Sequence, residues 1–309
     1  MSPPLRPADR PPPTVPRYKL TIAYDGTDFC GWQKQEPLAP AADSPLPAIP
    51  AAMIAGTLHD AEEGADRLQL RTVQHVVERA VVQIVRERVV LHGASRTDSG
   101  VHALGQVAAF TCSGDDEGPD APRGCGWPLS RGTERLRRAL NGRLPEDVIV
   151  TAVEAVHAEF NPIRDATSKA YSYTLHVGRE RPLWDRRFVH QVHDELDLDA
   201  MRRAASLLTG THDFAAFAAA GHGRQSTVRT IFSCDVTPVS PDRLRIDVSG
   251  NGFLWNMVRI LAGTLVEIGR GRKKPESIPE VIASGRRERA GPTLPPTGLR
   301  LEWIRHGEG

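Results

Sequence analysis

One aspartate of this chain stands where a reactive carboxylate could be held. Asp98 lies in the segment GASRTDSGVHALGQVAAF, between Arg96 and Gly100, with apolar stretches on both sides. Glycine permits a tight turn, and a neighbouring guanidinium favours the ionised carboxylate and lowers its pKa. An ionised carboxylate in such a turn can act as a nucleophile or a base. The alternative is an ordinary turn aspartate in a surface ion pair, since aspartate is common in turns.

Two tyrosines and an arginine could complete such a site. Tyr171 and Tyr173, in SKAYSYTL, fall on one face of a predicted strand because side chains alternate along strands. One of the rings could stack on a nucleic-acid base, or both could belong to the core. Arg259 lies in the apolar stretch NGFLWNMVRI, where a buried charge needs a partner, and Asp98 is a candidate. Alternatively, the arginine extends to the surface with its stem along the core.

The composition favours a soluble globular protein. The 309 residues are 40% hydrophobic and 25% charged, enough for one large domain or two ordinary ones. No apolar run approaches the roughly 18 residues of a membrane helix. The proline-rich residues 1–16 lack the apolar core of a signal peptide and are predicted to form a disordered tail, so a cytoplasmic location is expected. The four scattered cysteines form no pattern typical of a metal site or a disulfide framework.

Charge is distributed unevenly along the chain. The net charge is +1, but residues 36–66 hold six acidic residues and no Lys or Arg. Residues 113–126 hold four acidic residues and one arginine. The remainder is therefore clearly basic, which suits a polyanionic partner. Both acidic stretches, near 37–70 and 113–126, are predicted to be surface insertions.

Hydrophobic periodicity predicts strands and helices in a mixed order. The predicted strands have the sequences YKLTIAYDG, RVVLHGAS, GQVAAFTC, DVIVTAVEAV, KAYSYTLHVG, TVRTIFSCDVTPV, RLRIDVSG and GLRLEWIRH. The predicted helices are TVQHVVERAVVQIVRE, with Thr72 as its N-cap, TERLRRALNGRL, DLDAMRRAASLLTG and FLWNMVRILAGTLVEIG. This order indicates an α+β fold of two similar halves with a cleft between them. Residues 17–160 would carry the Asp98 loop, and residues 161–309 would complete the cleft.

Many of these segments together resemble one family. ASRTDSGVHA followed by GQV is similar to the G-R-T-D-A-G-V-H-A segment of the TruA family of tRNA pseudouridine synthases. The similarity continues in YDGTDFCGWQKQ, RTVQHVVERAV, RALNGRLPEDVIV, SKAYSYTL, GTHDFAAF, STVRTIF, GNGFLWNMVRILAGTL and PPTGLRLEW. It extends from Tyr18 to about Ile304 and leaves out the tail and both acidic insertions. The resemblance implies the pseudouridine synthase fold, with two α/β halves around a central antiparallel sheet and a basic cleft.

The resemblance also implies an activity and three site residues. The family isomerises uridine to pseudouridine at positions 38, 39 and 40 of the tRNA anticodon stem-loop, as a homodimer without a cofactor or metal. Its nucleophile is the aspartate of R-T-D, which is Asp98 here. The arginine that pairs with this carboxylate matches Arg259, and the tyrosine that stacks on the uracil matches Tyr171.

Contacts to RNA are implied for further cations. Arg96 would contact the RNA backbone and help to splay out the target nucleotide. The other expected RNA-binding residues are Arg164, Lys169, Arg270, Arg272 and Lys273. The basic run that holds the last three fits phosphate contacts, and equally fits a solvated loop and helix face. The acidic insertion near 37–70 would repel phosphate, so we expect it to fold away from the RNA or to be mobile.

Three other functions are compatible with parts of this pattern. The chain could be a pseudouridine synthase for another tRNA or RNA position, which only substrate mapping would distinguish. It could be an RNA-binding relative without catalysis, although the presence of Asp98, Tyr171 and Arg259 together argues against that. A sugar-cleaving hydrolase would need two carboxylates, and no second acidic residue has a convincing position beside Asp98.

Overall fold

The computed structural model describes residues 15–37, 50–60, 65–114, 124–219 and 226–307. The predicted disordered tail lies outside them except for its last two residues. Residues 38–49 and 61–64 of the first acidic stretch and residues 115–123 of the second also lie outside them.

Most strands of the described chain belong to one large sheet. The strands are β1 (Arg17–Tyr24), β2 (Ile54–Asp60), β3 (Ala65–Leu70), β4 (His92–Gly93), β5 (His102–Thr111), β6 (Val148–Val156), β7 (Ala166–Val177), β8 (His190–Val192), β9 (Gly210–Asp213), β10 (Val228–Ser240), β11 (Arg243–Gly250) and β12 (Leu299–His306). Ten of them form a sheet in the order β6-β1-β5-β12-β7-β11-β10-β9, with β4 beside β5 and β8 beside β7. β2 and β3 form a separate antiparallel hairpin. The structure is therefore mixed α/β with a central, mostly antiparallel sheet.

The last strand joins two groups of strands in this sheet. β12 pairs with β5 in parallel, with Arg300 opposite His102 and Leu301 opposite Ala103. On its other side β12 pairs antiparallel with β7. Strands from residues 17–156 and strands from residues 166–250 therefore meet along β12, next to the start of β5 and the loop that precedes it.

Five helices pack around the sheet. They are α1 (Val73–Val85), α2 (Thr133–Asn141), α3 (Leu198–Ser206), α4 (Met257–Gly269) and α5 (Ile278–Ser284). The predicted N-cap of α1 is confirmed, because the Thr72 side chain accepts a hydrogen bond from the His75 N–H. The aspartate at the start of α3 has the same role, since Asp197 accepts from the Ala200 N–H at 2.8 Å.

Helix α4 is the most deeply buried helix and carries one site residue. Of its 13 residues 11 are buried, and the two exceptions are Arg259 and Glu267. Such a helix is part of the core, so a charged residue in its first turn requires partners there.

Three predicted boundaries differ from the structure. α4 begins at Met257 and not at Phe253, because Asn256 has a left-handed backbone (φ 59°) that separates the helix from the residues before it. α3 ends at Ser206, and the glycine expected to terminate it, Gly210, begins β9.

The strand predicted for RVVLHGAS shortens to the two residues of β4. The preceding residue, Leu91, bonds to side chains of α1: its carbonyl accepts from Gln74 Nε2 at 2.8 Å and its N–H donates to Glu78 Oε2 at 2.9 Å. Because these bonds satisfy the backbone of Leu91, the chain joins the sheet only afterwards.

His102, the first residue of β5, is a buried histidine with a fixed tautomer. Its Nε2 faces the carbonyl of Arg187 at 2.9 Å, which can only accept, so Nε2 carries the hydrogen. Its Nδ1 accepts from the Gly26 N–H at 3.0 Å. Burial lowers the pKa of His102 from its ordinary 6.5, although the Asp25 carboxylate opposes this change. The neutral ring links three chain segments beside the Asp98 loop.

This arrangement predicts that His102 makes the fold less stable in acid. An unfolded histidine binds its proton near pH 6.5, whereas folded His102 binds it only at lower pH, so acidification through 6.5 favours the unfolded chain. His102→Gln keeps a donor and an acceptor but does not titrate. Urea unfolding at pH 7.5 and 5.5 should show a smaller loss of unfolding free energy for the variant than for the wild type. Equal losses would contradict this role.

Candidate active site

The loop that carries Asp98 is held in place by the segment that follows β1. The Thr97 carbonyl accepts from the Trp32 N–H at 3.0 Å, and the Thr97 hydroxyl shares a 2.7 Å hydrogen bond with the Tyr24 hydroxyl. The Ser99 hydroxyl donates to the Phe29 carbonyl at 3.0 Å. These bonds hold residues 24–32 against the R-T-D segment in the folded chain.

Two glycines permit the close approach of these segments. Gly31 has φ +86°, and a Cβ there would lie 2.7 Å from the carbonyl oxygen of Thr97. Gly100, which follows the aspartate, has φ +78°, as the sequence predicts for a tight turn. The loop therefore depends on glycine both for its own turn and for the segment beneath it.

Residues from three distant segments meet in one cavity of about 880 Å³. Asp98, Tyr171 and Arg259 all line it. So do Arg96 and Lys169, which gives the lining three cations and a single carboxylate. A negatively charged ligand would be attracted to such a cavity.

The carboxylate of Asp98 lies between a hydrogen-bond donor just before α4 and a positive charge in the first turn of α4. One oxygen accepts from the indole N–H of Trp255 at 3.1 Å, and the other lies 3.7 Å from Nη1 of Arg259. Burial raises the pKa of Asp98 above its ordinary 3.8, while the Trp255 hydrogen bond and the Arg259 charge both oppose that rise.

The expectation that this pKa lies below its ordinary value is therefore wrong, although the Arg259 guanidinium does act to lower it. Arg96 is exposed, and among the described residues its side chain makes no ion pair or hydrogen bond. Arg259 supplies the charge instead, but loss of solvent around Asp98 outweighs it. The sequence shows that Arg96 is close to Asp98 along the chain. It does not show how much of the water around the Asp98 carboxylate is lost on folding.

Arg259 is directed inwards and does not extend to the surface. Its side chain is 16% exposed, its Nε donates to the Leu294 carbonyl at 2.6 Å, and its Nη1 donates to Asn256 Oδ1 at 2.7 Å. With Asp98 as a third neighbour, the guanidinium has partners on several sides. The fold thus holds it at a fixed position beside the carboxylate.

Asn256 holds this arginine from an unusual backbone position. It is one of two non-glycine residues with positive φ in the described chain. Asparagine tolerates the left-handed region better than most residues. Its side chain does not cap α4 but accepts from Arg259. The turn therefore serves the placement of Arg259.

The two tyrosines of β7 have different environments. Tyr173 is fully buried, and its hydroxyl donates to the Pro295 carbonyl at 2.7 Å, so it belongs to the core. Tyr171 lines the cavity, and its hydroxyl shares a 3.1 Å hydrogen bond with the Ser95 hydroxyl. Its ring packs against the Phe253 ring in a T-shaped arrangement, with the ring centroids 5.2 Å apart. Burial raises the pKa of Tyr171 to about 12, so its phenol is neutral.

The residues expected to bind RNA fall into two groups. Arg96 and Lys169 line the cavity, where the Lys169 ammonium donates to the Ala94 carbonyl at 2.8 Å. Arg164 lies just outside it, next to the lining residue Ile163, and its guanidinium pairs with Asp165 at 2.8 Å.

The other expected RNA-binding residues are Arg270, Arg272 and Lys273. They lie at the far end of α4, about 16 Å along the helix axis from Arg259. Their partners are close: Arg270 pairs with Asp194 at 2.6 Å and with Glu267 at 2.9 Å, Arg272 pairs with Glu267 at 3.3 Å, and Lys273 donates to the Arg289 carbonyl at 2.9 Å. The structure does not bring Arg270, Arg272 and Lys273 to the cavity.

Sequence reasoning missed Trp255 and Asn256. Both precede an apolar helix in FLWNMVR, and an asparagine immediately before such a helix predicts an N-cap, a role that the Asn256 side chain does not take. The hydrogen bond from the indole to Asp98 depends on contact between distant segments.

A second groove, of about 620 Å³, shares Arg96, Thr97 and Asp98 with the cavity. The rest of its lining consists of Cys30, Gln33, Gln35, Pro50, Met53, Leu70 and Ser99. Residues 50, 53 and 70 belong to the acidic insertion. The expectation that this insertion folds away from the site is therefore wrong for its described base.

In the portion of the chain that the structure describes, no three His, Cys, Asp or Glu side chains are grouped so that they could hold a metal ion. All four cysteines are free. No helix within the described ranges is long and apolar enough to cross a membrane.

Comparison with known proteins gives consistent results. The family described as tRNA pseudouridine synthase matches residues 204–305. A protein of Clostridium perfringens named tRNA pseudouridine synthase A 2 is 37% identical over 286 residues, which cover 93% of this chain and 98% of that protein. Two proteins named tRNA pseudouridine synthase A are also similar. The one from Acetivibrio thermocellus is 36% identical over 92% of this chain and 96% of its own length. The one from Myxococcus xanthus is 39% identical over 96% of this chain and 94% of its own length.

The packing beneath the loop predicts a specific effect of Gly31→Ala. The new Cβ would meet the Thr97 carbonyl and strain a positive φ, so we expect destabilisation of more than the roughly 1 kcal/mol typical of strain alone. Gly271→Ala is the control, because Gly271 has φ +71° but no atom within 4 Å of its Cβ position. Urea unfolding of both variants measures the difference. Equal destabilisation would show that contact with the loop is unimportant.

Proposed function

The chain belongs to the tRNA pseudouridine synthase A family, an isomerase family, and from this premise we propose that Asp98 is the residue that isomerises its target uridine. We propose uridines 38, 39 and 40 of the anticodon stem-loop as the targets. The observation that carries this proposal is the cavity itself. Asp98 is the only carboxylate among the described residues that line it, and it lies between the Trp255 indole N–H and the Arg259 guanidinium. A hydrolase with two carboxylates is disfavoured for the same reason.

The reaction needs little beyond a placed carboxylate. Isomerisation breaks the N1–C1′ bond of uridine, turns the base and forms a C5–C1′ bond. C5 loses a proton and N1 gains one, so no group is added or removed. An ionised Asp98 can attack C1′, attack C6, or remove a sugar proton, and each of these steps requires its charged form.

Tyr171 and Arg259 support this step in different ways. The target nucleotide must leave its stack, which costs a few kcal/mol. Stacking on an aromatic ring returns roughly 1–3 kcal/mol per base, and the neutral Tyr171 is placed in the wall of the cavity to provide it. Arg259, fixed by Asn256 and Leu294, stabilises the charged carboxylate in a site with little water.

We assign the cations to two tasks in RNA binding. Arg96 and Lys169, beside Asp98, would contact the phosphates of the target nucleotide. The residues outside the cavity, Arg164, Arg270, Arg272 and Lys273, would contact phosphates farther along the stem. Arg272 is 59% exposed, and a surface ion pair such as its contact with Glu267 is weak enough for a phosphate to replace.

The proposal extends to the organisation of the protein. Residues 17–160 and 161–309 would form two similar halves on either side of a basic cleft, and the seam at β12 next to the Asp98 loop supports this. We also propose a cytoplasmic homodimer. Leu183, Trp184 and Phe188 lie exposed in one loop, and a patch of this kind is typical of an interface.

The central test is release of tritium from C5 of uridine in labelled tRNA. Wild-type protein should release the label, because the C5 hydrogen is lost when the new bond forms. Asp98→Ala should bind the same tRNA in a filter-binding assay but release only background label. Equal release by both proteins would end the proposal.

The contact between Trp255 and Asp98 predicts the acid limb of the pH profile. Activity requires ionised Asp98, whose pKa lies above 3.8. Trp255→Phe removes a hydrogen bond to the charged form, so the pKa should rise further and the acid limb of kcat/KM should move to higher pH. Tritium release between pH 4.5 and 8 measures the shift.

Trp303→Phe is the control for this substitution, since Trp303 lies in β12 and does not line the cavity. Its profile should match that of the wild type. If the Trp255→Phe profile also coincides with the wild type, the indole does not influence the carboxylate.

A further inference from the structure

The second groove adjoins the cavity and has its own walls. Arg96, Thr97 and Asp98 line both, so these three residues form the ridge between the two spaces. One wall comes from the segment after β1, and the other comes from the base of the acidic insertion, at Pro50 and Met53.

We propose that the second groove binds the base of the nucleotide next to the target uridine. This inference rests on the proposed function. A uridine placed in the cavity stays bonded through its phosphates to both neighbours, and its ribose must reach Asp98. Since Asp98 belongs to the ridge, the second groove is the space that receives a neighbour leaving the cavity across Arg96 and Thr97.

The chemistry of the lining suits an unpaired base. Met53, Leu70 and Pro50 offer apolar surface for the face of a ring, and amide side chains offer donors and acceptors for its edge. Gln33 is exposed and makes no hydrogen bond among the described residues, so its amide is available. Arg96 on the ridge can contact the phosphate between the two nucleotides.

The acidic charge of the insertion does not oppose this occupant. Apart from Asp98 itself, the described residues that line the groove include no Asp or Glu. A base carries no formal charge, whereas a phosphate would be repelled by the surrounding acidic stretch. The groove is therefore suited to the base of the neighbouring nucleotide, and the ridge is suited to the phosphate that links it to the target.

Backbone hydrogen bonds make the walls rigid. The Met53 carbonyl accepts from the Arg71 N–H at 2.7 Å, and the Arg71 carbonyl accepts from the Cys30 N–H at 2.8 Å. Gln35 adds two bonds: its carbonyl accepts from the Leu70 N–H at 3.2 Å, and its Nε2 donates to the Cys30 carbonyl at 3.1 Å. A preformed groove loses little entropy when it binds a ligand.

Removal of one base at a time tests the proposal. The substrate is full-length tRNA labelled with tritium at C5 of the target uridine, either intact or with an abasic site at its 5′ or 3′ neighbour. The proteins are the wild type, Gln33→Ala, Gln33→Ala with Met53→Ala, and Gln83→Ala. Gln83 is an exposed glutamine of α1 outside both spaces, so its variant should behave as the wild type.

For one of the two neighbours, the abasic site should raise the KM of the wild type and of Gln83→Ala by about tenfold, the loss expected for one stacked base. The same change should raise the KM of the double variant less than threefold, with Gln33→Ala in between, because the base has already lost its partners. The other abasic site should affect all four proteins equally. Equal effects of both abasic sites in every protein would overturn the proposal. Absence of release from intact tRNA by the wild type would instead refute the proposed function.

Discussion

The conflict between burial and charge at Asp98 is the constraint on which the rest of the site depends. A carboxylate that must stay ionised is placed where burial favours its neutral form, and this raises its pKa. The Trp255 hydrogen bond and the Arg259 charge reduce that rise without cancelling it. Neither comes from the loop that carries the acid. The site therefore exists only when the loop before β5 and the first turn of α4 are packed together.

The fold meets this requirement with two rigid supports. On one side, residues 24–32 hold the Asp98 loop through backbone hydrogen bonds and through a glycine that permits close contact. On the other side, a helix buried almost along its whole length places Arg259 in its first turn. Asn256, in a left-handed conformation, then fixes the direction of the guanidinium. Strain of this kind is typical of functional sites, since the surrounding structure must maintain it.

Hydrophobic periodicity and capping residues predicted most of the helices and strands. The features that these local patterns did not predict depend on contacts between distant segments. Periodicity and capping located α1 with Thr72 as its N-cap, and the motifs placed Asp98, Tyr171 and Arg259 in one cavity. The pKa of Asp98 was predicted in the wrong direction, because burial is a property of the folded chain. The start of α4 was placed too early because apolar residues continue through a turn that only the backbone conformation reveals. The base of the acidic insertion was placed away from the site because its charge was considered without its hydrogen bonds to the segment after β1.

The position of β12 has a consequence for how the protein is made. This strand follows every other described strand in the chain, yet it lies in the interior of the sheet between β5 and β7. During synthesis those two neighbours have no partner on that side until β12 has left the ribosome, so two strand edges stay open until then. Exposed edges of this kind favour aggregation, and chaperones protect against it. The nascent chain thus remains vulnerable until β12 has been added to the sheet.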